Sequence, residues 1–109
     1  MLSFNTIFHF FNFIEGRGYS DAISYVIMTK NIKVCLENEK KIRKFVQMNT
    51  SSSCQVDVRS GQSYIDGKSI IGLLSLNLLK PLYVSVIGDS NKITDLIDSY
   101  EEYDLVTTA

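Results

Sequence analysis

Few side chains in this sequence can carry chemistry, and their scarcity excludes whole classes of function. His9 is the single histidine among 109 residues. Multi-histidine metal sites, zinc-finger ligand sets and zinc-protease motifs therefore have no material to work with. His9 stands among Phe8, Phe10 and Phe11 and reads as packed or exposed filler. Cys35 and Cys54 have no CxxC spacing and are too few for a disulfide framework. No histidine lies near either to activate a thiolate, so both are expected as reduced thiols in core or strand-face positions. Lys40, Lys41, Arg43 and Lys44 crowd around Ile42. With no aromatic interleaving and no binding motif, that run reads as a solvated helix face, and no nucleic-acid partner is expected. Ser69 is the best single candidate. It follows Lys68 at the head of an apolar run, where a hydroxyl either caps a helix or accepts a phosphate facing the helix's free N–H groups. No catalytic residue, metal site or cofactor is read from the sequence.

The chain that must position these groups is one domain's worth of sequence, 45% hydrophobic and 21% charged with one proline. Such a composition excludes collagen-like, mucin-like and disordered chains. The longest mostly apolar run, Ile70 to Leu79, is broken by Gly72, Ser75 and Asn77 and is too short to span a bilayer. Charge is uneven. Residues 30–92 carry ten Lys/Arg against five Asp/Glu, whereas residues 93–109 carry five acids and no base. Either the basic body faces an anionic partner or the acidic end lies over it and cancels it.

Residues 1–28 are different material. Phe4, Phe8, Phe10, Phe11 and Phe13 crowd its first half, and Gly16 and Gly18 follow. The segment lacks the basic start and small-residue cleavage site of a signal peptide, and the Lys/Arg-rich polar face of a membrane-surface helix. Ser20 or Asp21 could cap a short helix through Ile27. The stretch reads as an N-terminal extension, or as upstream sequence that is not translated, ahead of a domain at 29–109.

Within that domain, Ile32, Val34 and Leu36 alternate with Lys33 and Cys35, the period of a half-buried strand. Asn38 is placed to cap a helix with Ile42, Phe45, Val46 and Asn49 on one face. Strands are expected over Cys54–Arg59 and Ser63–Ile65, with a turn at Ser60-Gly61. A helix begins at Ser69 and continues through Leu76, and Pro81 ends that region. Leu82–Ile87 is a strand, Gly88-Asp89-Ser90 a turn whose last two residues are capping types, and a last helix runs from about Asn91 to Tyr103 with Ile93, Leu96, Ile97 and Tyr100 inward. The order β-α-β-β-α-β-α, each strand with one apolar face, points to an antiparallel sheet with helices on one side.

That order, together with Lys68-Ser69-Ile70-Ile71-Gly72-Leu73-Leu74-Ser75-Leu76, resembles the HPr family, the small phosphocarriers of the bacterial sugar phosphotransferase system. The family typically carries Lys-Ser-Ile-x-Gly-x-x-Ser-Leu at this point, and the spacing back to Val46-Gln47 matches without a gap. The resemblance covers roughly Asn31 to Tyr103. It implies an α+β fold, an open-faced β-sandwich of four antiparallel strands covered by three helices.

In the family a histidine in the loop before the first helix, followed by Ala-Arg-Pro, takes a phosphoryl group from enzyme I. Here the corresponding stretch reads Glu37-Asn38-Glu39-Lys40-Lys41, with no histidine and no Arg-Pro. The resemblance then implies a module degenerate at the phospho-histidine loop, not an enzyme, acting in regulation or protein docking. An active phosphocarrier with an unrecognised acceptor and a structural domain unrelated to sugar transport are the alternatives. In some HPr proteins of Gram-positive bacteria the serine matching Ser69 is phosphorylated by a dedicated kinase, and a histidine-lacking relative keeps it. Side chains matching Ile70, Ile71 and Leu74 form an exposed docking patch in the family. In this chain the patch either meets partners or lies under Phe8 to Phe13. The expected partners are phosphotransferase-system or regulatory proteins. The expected form is a cytoplasmic bacterial monomer with no membrane insertion.

Overall fold

The computed structural model describes residues 27–108. The aromatic segment, His9 and the short helix expected from Ser20 or Asp21 lie outside the described residues. The elements run β1 (Met28–Val34), α1 (Glu39–Ser51), β2 (Gln55–Ser60), β3 (Ser63–Asp66), α2 (Ile70–Leu74), β4 (Leu82–Gly88) and α3 (Ser90–Glu102). The strands form one antiparallel sheet in the order β1-β4-β2-β3, with the helices layered on one side. This is the expected α+β arrangement, an open-faced sandwich.

Period-two alternation sets the two faces. Val34, Leu82, Val84, Val86, Val56 and Val58 are buried and share one core with Ile42 and Phe45 of α1, Leu73 of α2, and Ile93, Leu96, Ile97 and Tyr100 of α3. Each such side chain contributes about 1.5–3 kcal/mol when fully buried. The Phe45 and Tyr100 rings, 5.2 Å apart at their centroids, join α1 to α3. On the outer face the alternate residues of the same strands point away from the core.

Helix ends follow the expected capping chemistry. Asn38 Oδ1 accepts from the Lys41 N–H at 2.8 Å, and Asp89 Oδ1 accepts from the Asn91 N–H at 2.9 Å. The hairpin turns through Gly61 at φ +61°, a conformation that favours glycine. Two elements differ in extent from expectation. β1 starts at Met28, ahead of the apolar alternation, and stops at Val34, yet Leu36 beyond it is fully buried. The chain turns inward there because the Cys35 N–H pairs with the Leu105 carbonyl at 2.8 Å rather than with another strand. The tail supplies that partner by reversing at Asp104, φ +57°, and bridging Val34 through Val106. α2 is also shorter than expected. The Ser75 N–H closes on the Gly72 carbonyl at 3.2 Å and the Leu76 N–H on the Leu73 carbonyl at 3.1 Å, a tightened last turn that ends the helix.

Candidate functional site

Two neighbourhoods hold the residues singled out by sequence. The first is the turn into α2. Asp66 Oδ1 accepts from the Lys68 N–H at 2.9 Å and the Asp66 carbonyl from the Ser69 N–H at 3.0 Å, which turns the chain out of β3. Ser69 is the N-cap, its Oγ accepting from the Gly72 N–H at 3.2 Å. Gly67 passes so close to β2 that a Cβ would stand 2.5 Å from Val56 Cγ1. Gly72 lies as close to β3, where a Cβ would stand 2.7 Å from Ile65 Cγ2.

A buried polar tie holds this turn from below. Asn49 of α1, fully buried, donates from Nδ2 to the Gly67 carbonyl at 2.7 Å and accepts on Oδ1 from the Tyr100 hydroxyl of α3. Burial pushes the Tyr100 hydroxyl well above the usual tyrosine range, so it stays a donor. Sequence placed Asn49 on the apolar helix face, and only the fold shows what it is for. An amide buried with both ends paired fixes one register of α1 against the turn before α2 and against α3.

Above this base α2 divides its aliphatics. Leu73 is fully buried, while Ile70 and Leu76 are half-buried against the core. Ile71 and Leu74 are 81% and 53% exposed. The expected patch of Ile70, Ile71 and Leu74 is thus led by Ile71 and Leu74, with Ile70 turned partly into the core. Leu79, 88% exposed in the loop after α2, is a further exposed aliphatic that helical spacing does not reveal, because it lies beyond the helix.

The second neighbourhood is the β1–α1 loop. Glu37 Oε1 pairs with Lys41 Nζ at 2.8 Å, and Lys41 Nζ also donates to the Asp104 carbonyl at 3.3 Å. The Lys41 hydrogen bond holds the Glu37 carboxyl below its ordinary range, and Glu37 in turn raises Lys41. The Cys35 thiol donates to Glu37 Oε2 at 3.6 Å, and burial, then that bond, pushes it up. A protonated thiol beside a carboxylate is a poor nucleophile. Glu39 pairs with Arg43 at 2.7 Å. Lys44 Nζ stands 4.3 Å from the centre of the Tyr103 ring. Lys41 and Lys44 thus meet the acidic C-terminal region through a carbonyl and an aromatic ring. Cys54 is buried, as expected for a core thiol. Among the described residues, no group of three or more His, Cys, Asp or Glu side chains could hold a metal ion, and no helix is long and apolar enough to cross a membrane.

No family model and no curated protein matches the sequence. Solved structures do match. HPr-C-His from Thermoanaerobacter tengcongensis superposes at a TM-score of 0.54 and 20% identity, over 69% of this chain and 90% of that one. A phosphocarrier protein HPr from Bacillus anthracis str. Ames gives 0.53 and 17%, over 72% and 96%. The chain has the HPr fold. Within it, α2 opens on the Ser69 cap, while Glu37 and Asn38 fill the β1–α1 loop and α1 opens on Glu39.

Proposed function

We propose that this chain is a non-catalytic member of the HPr-like proteins, degenerate at the phospho-histidine loop, that acts by protein docking in the regulation of sugar transport. The observation that carries the reading is the contrast between Ile71 and Leu74, which stand exposed beside the Ser69 cap, and a β1–α1 loop without an acceptor histidine. Exposed aliphatics grouped on a rigid element mark partner surfaces. Glu37 in the loop and Glu39 at the start of α1 would repel an incoming phosphodonor, and Lys41 and Arg43 are already paired with them. The proposed partners are cytoplasmic phosphotransferase-system or regulatory proteins, met by a monomer.

Ser69 is the proposed regulatory phosphorylation site. Its side chain is partly exposed and adjoins Lys68, so a phosphate there would stand at the edge of the Ile71 and Leu74 surface and change which partners dock. Asp66, whose carboxylate accepts from the Lys68 N–H, is the like charge it would meet.

Incubation with enzyme I and phosphoenolpyruvate tests the first part: no acid-labile phosphate is expected on this chain, and its appearance would overturn the reading. Treatment with an HPr serine kinase and ATP tests the second. One phosphate is expected by mass spectrometry, absent from Ser69→Ala. No mass shift, or a shift that survives the substitution, would leave Ser69 as an N-cap only.

A further inference from the structure

The outer face of the sheet, opposite the helices, carries a row of side chains that sequence order conceals. The register pairs Lys33 with Tyr83 across β1 and β4, Tyr83 with Arg59 across β4 and β2, and Arg59 with Tyr64 across β2 and β3. The four residues therefore form one line across all four strands, alternating cation and ring. Arg59 Cζ lies 5.2 Å and Lys33 Nζ 5.4 Å from the centre of the Tyr83 ring. Tyr83 is 49% and Tyr64 60% exposed. At the usual spacing of neighbouring strands the two tyrosines stand about 10 Å apart, with Arg59 between them.

We propose that this row is a shallow platform for single-stranded nucleic acid, with bases stacking on Tyr83 and Tyr64 and phosphates meeting Arg59 and Lys33. Tyr64 offers an exposed ring to any base, and over Tyr83, where Arg59 and Lys33 already stand, a base stacks on the guanidinium plane or displaces it, while the cations supply the phosphate contacts. Charge decides the direction of the strand. The adjoining row is Asn31, Ser85, Asp57 and Asp66, and its two carboxylates repel phosphate. The nucleic acid thus runs along the cationic row, across the strands, with a footprint of about two nucleotides. The acids Asp95, Asp98, Glu101 and Glu102 lie on α3, in the helical layer on the other side of the sheet. This surface is separate from the α2 patch, so its success or failure is independent of the docking role proposed above.

The test is fluorescence anisotropy of the full chain with labelled oligothymidylate of about a dozen nucleotides. Binding is expected in low salt by about 100 µM protein, weakening with salt at a logarithmic slope near 1.4, the value for two phosphate contacts. Tyr64→Ala, a change at an exposed position of a short edge strand, should weaken binding about tenfold. Tyr83→Phe should leave binding intact because the ring remains, whereas Tyr83→Leu should weaken it. Asp57→Asn should strengthen it. Thermal melts of each variant separate lost binding from lost folding. Absence of binding overturns the proposal. So does binding that survives both ring removals in folded protein, or equal competition by polyglutamate, which would make the row a simple cationic patch.

Discussion

The β1–α1 loop and the α2 turn are held by opposite means. Around the loop, polar side chains are tied at the surface to the first turns of α1, Glu37 to Lys41 and Glu39 to Arg43, and exposed pairs of this kind add little to stability. The α2 turn is held from inside, by Asn49 bridging the Gly67 carbonyl and the Tyr100 hydroxyl and by two glycines pressed against β2 and β3. A region fastened by surface contacts can change its chemistry without unfolding the domain, whereas one fastened by buried contacts cannot.

The sharpest way to break this comparison is Asn49→Ala. It strands the Gly67 carbonyl and the Tyr100 hydroxyl in the core and opens a small cavity, at a cost of about 3 kcal/mol. A urea melt should show the drop, while Glu37→Ala leaves the midpoint unchanged; equal effects would dissolve the distinction. Next is Gly67→Ala, expected to cost about 2 kcal/mol because the new methyl meets the branch of Val56 beside a strand that cannot retreat. Gly72→Ala should cost less, since the methyl of Ile65 can swing aside and alanine is the better helix former by about 1 kcal/mol. Ser69→Ala removes the cap and should cost about 1 kcal/mol, with Ser69→Asp restoring most of it.

The smallest effect sharpens the loop side. Glu37 should titrate below its ordinary value by NMR, and Lys41→Met should move it upward, because the Lys41 hydrogen bond is the largest cause of its depression. Its folded value being the lower one, its contribution to stability is present above the unfolded pKa and fades as pH falls through the folded pKa. An unchanged Glu37 titration in Lys41→Met would show that the loop is not organised by this pair.

The order of elements, the caps at Asn38, Ser69 and Asp89, and the one-sided sheet were legible in the sequence. These are local properties, fixed by alternation, by helical spacing and by side chains that bond their own backbone a few residues on. The exposed patch of Ile70, Ile71 and Leu74 was an expectation from the resemblance, and which of the three turns inward was set by how α2 packs on the core. The end of β1 was not legible, because the partner of the Cys35 N–H lies in the tail at Leu105. Nor was the purpose of Asn49, whose two partners come from Gly67 and Tyr100. The same limit hid the outer row. No stretch of sequence interleaves cations with rings, and the Lys40–Lys44 run argued against nucleic acid on that ground. Lys33, Tyr83, Arg59 and Tyr64 become neighbours only through strand register, which sequence-distant hydrogen bonds decide.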